Sequence, residues 1–373
     1  MVGLLFFVAS TSANLAADDK QEKNTEQAAR AALEKGVAYL MSKQQADGRF
    51  PSETYGSLRQ GAATTALVLY AMGHVPESLR EKYDRQLVEG AAFLRLGIDK
   101  KGYVVNSDGS PDYPTYGSAM LLTAVARLKL PLTDDELGKL RSFVLQAQLD
   151  ERRAFKPDSP HYGGWDLMGA SMLEGVTSGT NVSVSSFALE ALTLDDSPAV
   201  LEARKKALRW AARCQDVSYD GGFPFTPDAN SESNKAETDD DRDKPRPYGT
   251  TTCDGLRCLL HAGASAEDKR VKAAVAWLVE HDDLEQAPGF EDVDERVGWQ
   301  KGLRLYYYMT LAKCLKHLPA DAARARREAL LKHLVSLAES DGRWQNDSAR
   351  MREDDPLIAT ALIVVALGEL LDS

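Results

Sequence analysis

Apolar residues fall into two alternating patterns along this chain. In the first they recur on one helix face, as with Leu33, Val37, Leu40 and Met41 at i, i+4, i+7 and i+8. In the second, as over residues 61–72, a helix is apolar or small nearly all round. A one-sided helix covers a core, and an all-round helix lies inside it. The alternation continues. Ala91, Phe93, Leu94 and Leu96 precede the all-round stretch 116–125, and Leu140, Phe143, Val144 and Ala147 precede 182–192. Leu208, Ala211 and Ala212 come before 250–260, Val275, Trp277 and Leu278 before 305–312, and Leu331, Leu334, Val335 and Ala338 before 357–367. The pattern predicts twelve main helices in six pairs.

A turn signature separates the two members of each pair. Its fullest copies are Gln44 to Phe50 and Gln215 to Phe223, with weaker ones at Lys101-Gly102-Tyr103, Gly163-Gly164-Trp165, Pro288-Gly289-Phe290 and Asp341-Gly342-Arg343-Trp344. The six closing aromatics recur roughly every sixty residues, a period that holds two helices and two loops. A repeat running from end to end implies one body. Gly48, Gly221 and Gly342 read as helix stops with positive φ, and the aromatics as plugs between outer helices. Two concentric layers follow, closing as a ring of six pairs, with an open superhelix as the competing arrangement.

The Gln-x-x-Asp-Gly-x-aromatic signature resembles the repeats of squalene–hopene cyclases and of protein prenyltransferase β subunits, over about residues 26–370. The resemblance implies an all-α fold, an α/α toroid of about six helical hairpins with a central cavity. The inner-helix N-termini and their loops would form one rim. A single ring looks more like the prenyltransferase β subunit than the two-domain cyclases.

Composition narrows the partners. A formal net charge of −11 argues against nucleic acid or an anionic membrane surface, and no basic patch offsets it. Residues 1–17 carry an apolar run, Val2 to Ala9, followed by small residues, and resemble an export signal, although no Lys or Arg precedes the run. Export to the periplasm or beyond is expected. The run is too short to span a membrane. Residues 18–25 are polar and charged and read as a disordered lead-in to the toroid, residues 26–373. Cys214, Cys253, Cys258 and Cys314 lie within helical patterns and read as small buried hydrophobes, a disulfide pair staying open in an exported chain.

Catalytic motifs are incomplete. Class II terpene cyclases protonate an alkene with an Asp-x-Asp-Asp motif at an inner-helix start. The matches here are Arg352-Glu353-Asp354-Asp355 and Glu237-Thr238-Asp239-Asp240, and Asp354 and Asp355 are the candidate catalytic pair. Residues Asp239 to Asp243 also spell a magnesium-binding Asp-Asp-x-x-Asp, but two prolines follow. Asp254, Cys258 and His261 share one helix face and are zinc-ligand types, without the spacing that the prenyltransferase family uses. No metal site and no cofactor is expected. Aromatics cluster before the inner helices, and Trp165, Tyr248, Trp299, Tyr306 and Tyr307 are the candidate binding residues on that rim, with Tyr113, Tyr116 and Tyr162 beside them.

Two functional readings lead. One is an exported, non-catalytic toroid whose cavity takes an isoprenoid-like small molecule, an apolar peptide or a partner protein. The other is a cyclase- or prenyltransferase-like enzyme with a diverged acid or metal centre. A carbohydrate-active toroid is a third, needing a carboxylate pair across the cavity, for which Asp166, Glu190 and Asp254 are candidates.

Overall fold

The computed structural model describes residues 5–169, 177–228, 231, 233–239, 244–291, 293, 296 and 298–372, with side chains from residue 20 onward. Twelve main helices are found among the described residues. The odd-numbered ones are one-sided: α1 (Leu5–Ser42), α3 (Asp84–Leu96), α5 (Asp134–Ala147), α7 (Pro198–Cys214), α9 (Lys269–Glu280) and α11 (Ala320–Ser336). The even-numbered ones are buried nearly all round: α2 (Ala62–Met72), α4 (Pro114–Leu128), α6 (Val182–Leu192), α8 (Gly249–His261), α10 (Arg304–Cys314) and α12 (Pro356–Asp372). Each even-numbered helix packs against the next, and α12 packs against α2, so the inner layer is a closed ring. The odd-numbered helices pack on its outside, α1 against both α11 and α12. The expected α/α toroid is what forms, and the open superhelix is excluded.

The turn signature has a physical cause at every position. All six turn glycines, from Gly48 to Gly342, have φ between 82° and 99°, the region L side chains avoid. Space is as restrictive as conformation. A Cβ on Gly48 would stand 2.3 Å from the Glu89 carbonyl oxygen in α3, and one on Gly342 would stand 2.6 Å from the Lys35 backbone in α1, where the ring closes. The glutamine amide ties the same turn to the next outer helix. Gln44 Nε2 donates to Gly48 O (3.0 Å) and Gln86 O (2.7 Å), and Gln215 Nε2 to Gly221 O (2.7 Å) and Arg270 O (2.9 Å). Gln148 does this for the third turn, bonding Gly163 O (2.9 Å) and Ala203 O (2.8 Å) across fourteen intervening residues that hid it in the sequence.

The hydroxyls at the inner-helix starts close the unit. The backbone N–H groups of Phe50, Trp165, Phe223 and Trp344 donate to Thr65, Ser185, Thr252 and Thr360 Oγ, at 2.8, 3.0, 3.1 and 3.0 Å. The indoles of Trp165 and Trp344 reach back to Val144 O (2.7 Å) and Leu334 O (2.9 Å) of the preceding outer helix. The third and sixth turns thus each join two outer helices and one inner helix.

Residues 18–25, expected as a disordered lead-in, are helical and continue α1. Arg327 of α11 pairs with Glu26 (2.6 Å) and lies 3.7 Å from Glu22, which docks that polar stretch against the ring. Of the acidic stretch Asp239 to Asp243, only Asp239 lies within the described residues, in a two-residue strand (Thr238–Asp239) paired with Lys244–Pro245. All four cysteines are free and buried.

Replacing Gln215 by Leu strands two buried carbonyls, and we expect a loss on the order of 1–3 kcal/mol in urea unfolding. Gly48→Val, which adds a clash and a positive-φ penalty, should cost more; equal or smaller loss there would count against the turn account.

Candidate functional site

Early residues of the inner helices surround a cavity of about 310 Å³. Its walls are Ala63, Thr64 and Leu67 of α2, Tyr116 and Met120 of α4, Phe187 of α6, Tyr306 of α10, and Ile358 and Leu362 of α12. Leu58, Tyr113 and residues Arg350 to Glu353 of the loop before α12 complete it. The walls are therefore largely apolar and aromatic, with charge confined to the loop.

Glu353 is the buried acid of this wall, 1% exposed. Its carboxylate accepts from Leu305 N (3.0 Å), Tyr306 N (2.8 Å) and Asn346 Nδ2 (2.7 Å), so it caps the start of α10. Burial pushes its pKa up to about 7, although those donors pull the other way. Glu353 therefore keeps its proton at higher pH than an ordinary carboxyl, beside a largely apolar space.

Across the cavity runs a chain of hydroxyls. Tyr116 OH donates to Ser183 Oγ (2.7 Å), Ser183 Oγ shares a hydrogen with Tyr306 OH (2.5 Å), and Tyr306 OH donates to Asp254 Oδ2 (2.8 Å). Burial raises the pKa of Asp254 against the opposing pull of Arg257, whose Nη1 lies 2.9 Å from Oδ1.

Later residues of the same helices fill the ring with charge. Glu190 accepts from Arg257 Nη2 (2.7 Å), from Lys313 Nζ (2.8 and 2.9 Å) and from Tyr70 OH (2.9 Å), and Lys313 also meets Tyr70 OH. Burial opposes ionisation of Glu190, yet Lys313 and Arg257 hold its pKa well below the ordinary range. Burial brings Lys313 down to about 8. Phe187 separates the two zones: its ring lies 5.5 Å from Tyr116 on the cavity side, and Arg257 and Lys313 sit 5.1 and 5.9 Å from its centre. The ring is thus a blind pocket over a buried ionic floor.

Neither a protein-family model nor a curated protein matches the sequence. Solved structures do match in shape. The type II terpene cyclase MstE from Scytonema, in its apo form, superposes with a TM-score of 0.59 at 14% identity, over 95% of this chain and 98% of that one. The fold is terpenoid cyclase-like. A variant of the same cyclase holding its substrate geranylgeranyl dihydroxybenzoate gives a TM-score of 0.60 at 12% identity, covering 94% and 99% of the two chains. A wild-type glycosidase is also similar, with a TM-score of 0.52 at 16% identity over 93% and 98%.

Within this cyclase-like ring the residues chosen from sequence separate. Tyr306 lines the cavity, and Trp299 stands at its rim against Arg350. Trp165, Tyr248 and Tyr307 do not line it. Trp165 is the plug of its turn, Tyr248 packs at 4.9 Å on Phe290, and the Tyr307 ring lies where Gly249 leaves room for it. Inner-helix aromatics point both into the ring's centre and between its helices, and their order in sequence does not tell which. Asp355 caps α12 through Leu357 N (2.8 Å) and accepts from Ser52 Oγ, while Asp354 accepts from Tyr55 OH (2.5 Å); neither lines the cavity. Their neighbour Glu353 does, and sequence reasoning passed over it as the variable position of the motif.

The remaining candidates are occupied elsewhere. Asp166 orders its own loop through Gly169 N (2.6 Å) and Thr177 Oγ1 (2.7 Å), and Glu190 and Asp254 both pair with Arg257 instead of facing each other across a groove. Cys258 Sγ donates to Val182 O, and no three metal-ligand side chains converge among the described residues. No described helix is long and apolar enough to cross a membrane.

Glu353 gives a pH prediction. Its folded pKa of about 7 lies above the ordinary 4.5, so between those values the folded protein keeps a proton that the unfolded chain has lost. The stability it contributes falls as pH rises through that window, by about 1.4 kcal/mol per unit. The margin of wild type over Glu353→Gln should shrink from pH 4.5 to 7 in urea melts; a constant margin would contradict the assignment. Arg257→Leu, which leaves two buried carboxylates short of a partner, should cost on the order of 3–5 kcal/mol in the same measurement.

Proposed function

We propose that this protein holds an apolar, isoprenoid-like molecule in the central cavity of its ring. The observation that carries the reading is the cavity itself: apolar and aromatic walls, a volume of about 310 Å³, and a base closed by Phe187. That volume is at the low end of the roughly 300–1,000 Å³ typical of small-molecule sites, which favours a short prenyl chain over a long polyprenyl one. A blind pocket also suits a single chain better than a peptide. The cyclase with a similar fold is known with geranylgeranyl dihydroxybenzoate as substrate and merosterolic acid A as product, which supports a prenyl ligand here. Residues 1–17 serve as an export signal in this reading, and N-terminal sequencing of the protein recovered from the producing cells tests that.

Acid catalysis is the second reading, and Glu353 is the observation that favours it. A proton passed from its carboxyl to an alkene carbon would leave a carbocation facing the rings of Tyr116, Phe187 and Tyr306, which lower its energy. Loss of a proton from a neighbouring carbon completes an isomerisation. The incomplete Asp-x-Asp-Asp motif is then a centre whose acid has moved to the residue before Asp354. A carbohydrate reading rests on fold likeness alone, since the acidic candidates are tied to Arg257 or to a loop.

Calorimetric titration with farnesol and geranylgeraniol tests the pocket. Leu67→Trp, which fills it from α2, should weaken binding about tenfold or more while thermal unfolding stays near wild type. Wild type binding neither alcohol would overturn the reading. Incubating wild type and Glu353→Gln with the same alcohols, followed by product analysis, tests the acid: cyclised product should form with wild type and vanish in the variant.

A further inference from the structure

Three cations gather on the loop side of the cavity in a chain whose net charge is −11: Arg350 and Arg352 line it, and Lys235 shares the Trp299 ring with Arg350. With so many carboxylates available, cations ordinarily find one. These three form no ion pair among the described residues, in contrast to Arg257 and Lys313 in the ionic floor beneath the cavity. Aromatic faces hold them instead. The Arg352 guanidinium lies 5.2 Å from the Tyr55 ring and 5.4 Å from the Tyr113 ring, and Arg350 lies 5.4 Å from Trp299. Lys235 Nζ is 5.4 Å from the same Trp299 and 3.8 Å from Phe225.

The arrangement carries cost without visible return. Arg352 Nη1 is buried and has no hydrogen-bond partner among the described residues. The acids around it are engaged: Asp354 accepts from Tyr55 OH, Asp112 from Ala63 N, and Glu353 three N–H bonds. Arg352 also has φ of 61° and Tyr113, beside it, φ of 47°, a conformation that non-glycine side chains adopt at some expense. Lys235 Nζ donates only a long bond to Ser233 O (3.3 Å), and burial takes its pKa down to about 8. Arg352 and Lys235, half-buried cations held over rings, gain most when an anion arrives.

We propose that the ligand is an amphiphile, its isoprenoid-like tail in the cavity and an anionic head, carboxylate or phosphate, held at the mouth by Arg350, Arg352 and Lys235. The inference rests on the cavity reading above and adds the head group to it. The tail is recognised by apolar walls, which accept any short prenyl chain. The head supplies the discrimination that those walls lack.

The test compares farnesol, farnesoic acid and farnesyl phosphate by calorimetry, using the whole protein. The two anions should bind about tenfold or more tighter than the alcohol, the size of one or two charge-assisted hydrogen bonds, and added salt should narrow the gap. A gain confined to one anion would identify the head as that group. In the triple variant Arg350→Gln, Arg352→Asn, Lys235→Gln, the anion-to-alcohol ratio should collapse towards one. Asn is chosen at 352 because it tolerates the left-handed backbone, and Arg350→Gln alone, expected to reduce the ratio partly, serves if the triple variant fails to fold. Farnesol binding with no anion preference in wild type would overturn the head-group proposal and leave the cavity reading standing. An unchanged ratio in the variants would overturn it also. Failure of all three ligands to bind would remove both.

Discussion

Everything in this ring depends on backbone meeting backbone at the turns. Five of the six turn glycines press against the next outer helix at a distance that admits no Cβ, and Gly289 presses as closely on the Pro247–Tyr248 backbone before α8, all with φ in the left-handed region. Glycine alone satisfies both demands. Close approach then places carbonyls where water cannot reach them, and the glutamine amides of Gln44, Gln148 and Gln215 satisfy two each. The threonine and serine at the inner-helix starts answer the N–H of the closing aromatic. One sequence signature therefore solves a steric problem and a hydrogen-bonding problem together.

A closed ring sets up a second problem, which is what to put in its middle. Inner helices that begin with small residues can converge without filling the space, and their later turns carry Tyr70, Glu190, Arg257 and Lys313 into the centre. Buried charges are tolerated there because two carboxylates and two cations, with Tyr70 and Ser186, leave few groups unmet. The outcome is asymmetric: an ionic floor under one half and an apolar space in the other. Phe187 lies between them and touches both.

The site's chemistry follows from that asymmetry. Glu353 serves two purposes, capping α10 and placing a protonatable group beside a largely apolar wall. The aromatic residues divide in the same way. Tyr116 and Tyr306 line the cavity and give their hydroxyls to the chain that ends on Asp254, whereas Trp165 and Trp344 are spent on joining helices.

Sequence periodicity was sufficient for the twelve helices, the two layers and the positive-φ turns, because each is a local or near-local property: one helix face, one all-round run, one glycine after one helix. It also marked Tyr113, Tyr116 and Tyr306, since residues at the start of an inner helix in a closed ring lie near its centre. What it left undecided is rotation about each helix axis and pairing across the ring. A rotation of one residue separates Tyr306, in the cavity, from Tyr307, in the packing, and no local signal distinguishes them. The third turn's glutamine was invisible because fourteen residues intervene before Gly163. Glu353 and the distant partners of Asp254 were likewise beyond reach, for Tyr306 lies 47 residues from Glu353 and 52 from Asp254, and Ser186 lies 68 from Asp254, all becoming neighbours only when the ring closes.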